Sequence, residues 1–265
     1  MSTLFLIPAH NEAPNLGRVL AEIRARHPQA PILVVDDAST DETPKILPEL
    51  GVEWLQLGQH MGIGNAVRAG LRYARIQGHD RVVRLDADGQ HAPDQVDELL
   101  EPLAEGRADA VVGSRFGGVP GHRPGALTRV MQWALALALS RITGRRVTDP
   151  TSGFWAFGPR AVALLADHHP RGYSEPELRL FLARNGLQVL EVPVRMRHIP
   201  QRLNRRRAHH LQHRCDVLAV AEVIVRLQAK LHTGRFRLGG GARQTLRNVL
   251  DDAPRLPLPL SLIHI

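Results

Sequence analysis

The sequence predicts an α/β fold with a mostly parallel central sheet flanked by helices. Short apolar runs of strand length recur, bounded by Pro, Asp or Gly. Segments with helical spacing of apolar residues separate them, the rhythm of βαβ units. Polar side chains also recur where the runs end, which is the rim where open α/β sheets bind ligands.

In chain order, Thr3–Ile7 is expected as the first strand, stopped by Pro8. A helix begins near Asn15, with Leu16, Val19, Leu20 and Ile23 at helical spacing. Pro31–Val35 is a second strand. Thr43-Pro44 has the form of an N-cap followed by proline at the first helical position. Val52–Leu55 is a short third strand, and Gly62–Val67 opens another helix. Val82, Val83 and Leu85 form a buried strand that Gly89 ends. Pro93–Leu103 is helical, with Asp94 in its first turn favouring the helix dipole. Ala110–Arg115 is a further strand, and Phe116–Gly125 a Gly/Pro-rich loop. Thr128–Ile142 is a strongly apolar helix. Asp149–Gly153 turns into Phe154–Phe157, Tyr173–Asn185 is helical, and Gln188–Arg195 is a last strand. Pro193 places that strand at an edge.

Three polar clusters stand at three strand exits: Asn11 and Glu12, Asp36 and Asp37, Asp86 and Asp88. Their convergence on one rim predicts a ligand site. Asp86 and Asp88, separated by one small residue, suit a hard divalent cation carrying phosphates, although Asp and Gly also form ordinary polar turns. Asp36 either binds ligand or caps its turn with Ser39.

The chain has 265 residues, a formal net charge of +8 and one cysteine, Cys215. One cysteine excludes an internal disulfide framework and fits a reducing compartment. The charge points to an anionic partner and peaks at Gln201–Arg207. That run is either a solvated loop or a loop gripping phosphate. Few aromatic residues accompany it, so nucleic acid is not expected as a partner. A dinucleotide-binding oxidoreductase is disfavoured because no G-x-G-x-x-G turn follows the first strand. The longest apolar run, Trp133–Leu139, is too short to span a bilayer. Arg129, Arg141, Arg145 and Arg146 flank the Thr128–Ile142 helix, which reads either as a core helix or as one lying at a membrane surface. His209–Leu231 is a long helix with an apolar seam, suited to packing or a homodimer. His209 and His213 have helical metal spacing but no third ligand.

Seven motifs in order resemble the family 2 glycosyltransferases of the GT-A fold, and among them the polyprenyl-phosphate (dolichol-phosphate) sugar synthases. They are Ile7-Pro-Ala-His-Asn-Glu12, Val34–Thr43, Gly62-Ile-Gly-Asn-Ala, Leu85–His91, Gly113-Ser-Arg115, Asp149–Phe154 and Glu191-Val-Pro-Val194. The resemblance covers roughly residues 3 to 200. It implies a GDP- or UDP-sugar donor, with Pro8, Ala9, Asn11, Glu12, Asp36, Asp37, Asp86 and Ala87 around the nucleotide. Asp86 and Asp88 would hold Mg²⁺ or Mn²⁺, and with Arg115 they are the candidate catalytic residues. Arg115, Ser152, Gly153, Arg202, Arg205 and Arg206 would meet the acceptor or its phosphate. Two positions depart from the synthases: His10 stands where they usually have Tyr, and Trp155 where they often have Arg. The implied reaction is a single inverting displacement onto polyprenyl phosphate at the cytoplasmic face of a membrane, without a transmembrane segment. A soluble hydroxyl acceptor is the alternative; it needs a base, for which Asp88 or Glu175 could serve. On this reading residues 1–207 are the transferase domain, 208–238 an amphipathic helix, and 239–265 a linker and loose tail.

Overall fold

The computed structural model describes residues 2–116, 126–170 and 175–197. The expectations for Arg202, Arg205, Arg206, the 209–231 helix, the His209/His213 pair and the 239–265 tail lie outside the described residues, as does most of the loop after Phe116.

Seven strands form one sheet: β1 (Thr3–Ala9), β2 (Ile32–Asp36), β3 (Glu53–Gln56), β4 (Arg81–Arg84), β5 (Ala110–Ser114), β6 (Trp155–Phe157) and β7 (Val189–Pro193). Their order is β3-β2-β1-β4-β6-β5-β7. All pairings are parallel except those of β6, which runs antiparallel between β4 and β5. β7 lies at the edge, where Pro193 costs no ladder bond.

Helices cover both faces, so the central strands are buried on both sides and read as unbroken apolar runs rather than alternating ones. On one face Phe5 and Ile7 of β1 pack with Leu16, Val19, Leu20 and Ile23 of α1 (Ala13–Arg26) and Leu99 of α4 (Val96–Ala104). On the other, Leu4 and Leu6 pack with Val67 and Leu71 of α3 (Ile63–Ile76) and with Val162 and Leu165 of α6 (Pro159–His168). Gly70 lets α3 approach β1 closely: a Cβ there would lie 2.2 Å from Leu6 Cδ1. A smaller cluster joins Leu135 and Leu139 of α5 (Ala126–Thr143) to Leu180 of α7 (Glu175–Arg184).

Several boundaries differ from expectation. The Thr43 hydroxyl is not a helix cap; it accepts a hydrogen bond from the Glu12 N–H at 3.0 Å, and α2 (Thr43–Ile46) is only one turn. Residues Pro93–Gln95 form a 3₁₀ turn ahead of α4. Leu85 is buried but lies past the end of β4. Helix α6, headed by Pro159, was not anticipated.

Candidate active site

β2, β1 and β4 are parallel neighbours, with Ala9 opposite Asp36 and Leu6 opposite Arg84. Their carboxyl ends therefore open on one rim. Pro8 and Ala9 end β1 and are buried. Asn11 takes a positive φ of 58°. Its Oδ1 accepts from the N–H groups of Thr40 (2.8 Å) and Asp41 (3.2 Å), pinning the loop after β2. Glu12 Oε2 accepts from Asn15 at 2.7 Å. Asp36 Oδ1 accepts from the Ser39 N–H (3.1 Å) and hydroxyl, the turn cap that was one of its two expected roles. Its Oδ2 is buried with no partner among the described residues. Asp37 uses both carboxylate oxygens on the N–H groups of Met61 and Gly62, each at 2.7 Å.

Asp86 and Asp88 stand at the exit of β4 with Ala87 buried between them. The Asp86 N–H donates to His91 Nδ1 at 2.9 Å, so the neutral imidazole carries its proton on Nε2, which lies 3.7 Å from Asp86 Oδ2. The His91 ring stacks on Phe154 at 4.9 Å. Burial lowers the His91 pKa and outweighs the nearby carboxylates, which keeps the ring neutral. Burial disfavours the charged form of Asp86, yet the Arg84 guanidinium beside it outweighs that burial and holds its carboxyl below the usual range. Asp88 moves the other way: burial, then the Asp86 charge, raise it against the Gln90 N–H. Asp88 accepts from Gln90 at both oxygens, at 2.9 and 2.8 Å.

The Asp149–Phe154 turn closes the other side. Gly153 packs against Asp86 so tightly that a Cβ would lie 2.8 Å from Oδ2. The Ser152 hydroxyl is buried and accepts from the Phe154 N–H at 3.4 Å. Arg115 binds Asp149 through Nε and Nη2, each at 2.7 Å, and donates to the Thr151 hydroxyl at 2.6 Å. Asp149 is fully buried, and these bonds hold its carboxyl below the usual range despite that burial. Glu191 of β7 accepts from the N–H of Thr148 at 2.8 Å and from Arg179 at 2.7 Å, fixing the turn to the sheet. Glu175 is buried behind Arg84, with which it pairs at 2.8 Å, a poor setting for a base.

Among the described residues, two donor sets could hold a cation. Asp86 and Asp88 offer carboxylate oxygens under mutual charge repulsion, which fits a hard ion such as Mg²⁺ or Mn²⁺. His10, Asp37 and His60 offer ligand atoms that all lie within 4.8 Å of one another. That set is softer, and its groups are engaged: His10 Nδ1 lies 2.8 Å from the Asp37 carbonyl oxygen, and Asp37 is already bound to two backbone N–H groups. The aspartate pair offers only hard oxygen donors, although Asp86 and Asp88 are engaged as well, by Arg84 and Gln90.

The family described as "Glycosyl transferase family 2" matches residues 5–162, which contain the whole acidic rim and the Asp149 turn. The chain belongs to this family. It is a glycosyltransferase. An undecaprenyl-phosphate mannosyltransferase of Micrococcus luteus is 34% identical over 206 residues, covering 73% of this chain and 83% of the relative. A polyprenol monophosphomannose synthase of Mycolicibacterium smegmatis is 32% identical, covering 72% and 76%. Among solved structures, glucosyl-3-phosphoglycerate synthase from Mycobacterium tuberculosis, crystallised with Mn²⁺, UDP and glucosyl-3-phosphoglycerate, superposes with a TM-score of 0.58 at 20% identity, covering 83% of this chain and 79% of that one. The likeness confirms the GT-A fold of this family 2 member.

Sequence reasoning did not single out Arg84, His91, Arg179 or Glu191 for roles of their own. A charged residue at each end of an otherwise apolar β4, and Glu191 inside β7, were the available signals.

Proposed function

We propose that this family 2 enzyme transfers a mannose- or glucose-type sugar from a nucleotide-sugar donor to polyprenyl phosphate at a membrane surface. The observation that carries the proposal is a cavity of about 410 Å³ against α5, beside the Arg115–Asp149–Thr151 clamp. Arg129 and Arg146 supply positive charge to it, and Phe116, Trp133 and Leu137 supply apolar surface. Val130 and Trp133 are 61% and 65% exposed on the same helix. A phosphate head on an apolar tail matches that pairing of surfaces. The names of the relatives from M. luteus and M. smegmatis support the same acceptor class. No helix among the described residues is long and apolar enough to cross a membrane.

Asp86 and Asp88 would hold Mg²⁺ or Mn²⁺, whose charge would offset that developing on the nucleoside diphosphate leaving group. The Asp36 Oδ2, buried and without a partner among the described residues, is an acceptor suited to a hydroxyl of the donor. Asp149 and Thr151 hold the Arg115 guanidinium at the junction of rim and cavity. A phosphate acceptor is already ionised at neutral pH, so the buried state of Glu175 is no obstacle to the reaction. The displacement would be in line, with inversion.

The test is incubation with labelled GDP-mannose, GDP-glucose, UDP-glucose or UDP-N-acetylglucosamine and a short polyprenyl phosphate. Label should enter the organic phase with Mn²⁺ or Mg²⁺, and Asp88→Ala should abolish it with the fold intact. Label appearing only on a soluble acceptor would refute the lipid-phosphate reading. Full activity of Asp88→Ala would refute the assignment of the ion.

A further inference from the structure

Arg84 occupies a place where the fold calls for an apolar side chain. It closes β4 at 2% exposure, two residues beyond Val82 and therefore on the same face, the one packed by Trp155, Leu178 and Leu182. Its Nη1 donates to Glu175 Oε1 at 2.8 Å and its Nη2 to Asp86 Oδ1 at 3.2 Å. Its Nη2 also lies 3.0 Å from where a Gly153 Cβ would be, so it sits directly beneath the Asp149–Phe154 turn. Burying an ion pair gains little stability over an apolar pair of the same shape, because desolvation consumes most of the attraction. Stability alone therefore does not account for a guanidinium here. Its reach does: it bonds both Asp86 and Glu175 of α7.

The Asp86 carboxylate is constrained on each side. Arg84 holds Oδ1, while Oδ2 faces His91 Nε2 and the backbone of Gly153. We propose that Arg84, backed by Glu175, is a positioning residue that fixes the Asp86 carboxylate in the orientation with which it meets the cation and diphosphate of the donor. The proposal rests on Asp86 belonging to the donor site. Glu175 keeps the guanidinium from collapsing wholly onto Asp86, leaving the carboxylate able to serve a ligand while its torsion stays fixed. A fixed first ligand lowers the ordering cost of binding.

The decisive variant is the double substitution Arg84→Met/Glu175→Gln, which removes both charges of the pair, so that neither is left buried and unpaired. Mn²⁺ binding would be followed by the electron paramagnetic resonance signal of the free ion, with UDP and in parallel with GDP, alongside thermal unfolding. A residue needed only for core packing would allow this variant to recover fold and binding together. Positioning predicts that it unfolds near the wild-type temperature but binds the Mn²⁺–nucleotide pair at least about tenfold more weakly, a shift of about 1.4 kcal/mol. Arg84→Lys keeps the charge and cannot span two carboxylates, and it should bind at an intermediate affinity. This variant carries the test if the double substitution does not fold. Wild-type affinity in either folded variant would overturn the positioning role while leaving the donor site standing. Failure of the wild-type protein to bind Mn²⁺ with either nucleotide would overturn both.

Discussion

Replacing Asp149 with Asn should separate the clamp from the rest of the fold. Asp149 is fully buried and accepts from the Arg115 N–H at 3.0 Å, from Arg115 Nε and Nη2 at 2.7 Å each, and from the Thr151 N–H at 3.3 Å. Asn keeps the volume but removes the charge and turns an –NH₂ toward a guanidinium that only donates. Breaking one half of a buried ion pair costs roughly 3–5 kcal/mol. The Arg115 side chain is 28% exposed and can recover part of its hydration, so the expected loss is at the low end, about 2–3 kcal/mol. At roughly 2–4 °C per kcal/mol for a chain of this size, the melting temperature should fall by roughly 5–10 °C. The sign with pH follows from the depressed carboxyl. The wild-type advantage is present above the ordinary carboxylate pKa of about 4 and is lost as the pH falls through the lower folded value. Urea unfolding by circular dichroism at pH 7 and at pH 3 measures both. A loss below about 0.5 kcal/mol at pH 7 would show that the clamp is solvated and would refute its structural role.

Gly70→Ala should destabilise despite the helix propensity it adds, because overpacking against Leu6 at 2.2 Å costs about 1–3 kcal/mol against a propensity gain of about 1; a raised melting temperature would contradict it. His169 is buried, donates to the Pro170 carbonyl at 2.8 Å, and has its pKa lowered to about 4, chiefly by burial. The unfolded chain takes up its proton near pH 6.5 and the folded chain only near 4. Stability is therefore full above about 6.5 and falls by about 2 kcal/mol by pH 5. His169→Asn should flatten that part of the urea-midpoint profile, and an unchanged profile would refute it. Gly153→Ala places a methyl 2.8 Å from Asp86 Oδ2. It should weaken nucleotide affinity several-fold in calorimetry, and unaltered affinity would refute the contact.

The sheet and its acidic rim were legible because they depend on local signals. Leu4, Leu6, Leu33 and Val35 sit in runs short enough to be strands, and Asp36, Asp86 and Asp88 follow such runs directly. Partnerships across the chain were not legible. Arg115 and Asp149 are 34 residues apart, and Arg84 and Glu175 are 91 apart, separations that carry no periodicity. The antiparallel direction of β6 was hidden for a similar reason. Three apolar residues, Trp155–Phe157, fit either direction, and only insertion between β4 and β5 decides it. Asn11 and Asp37 are expected at the ligand from their place at strand exits; their hydrogen bonds to neighbouring loops are a further role, which residue type alone does not reveal.

The most direct measurement is anomalous scattering from crystals soaked with Mn²⁺ and UDP or GDP. The acidic rim predicts a manganese peak within about 2.5 Å of an Asp86 or Asp88 carboxylate oxygen, with the diphosphate on its far side. A peak seated instead among His10, Asp37 and His60, with none at the Asp86–Asp88 pair, would contradict it.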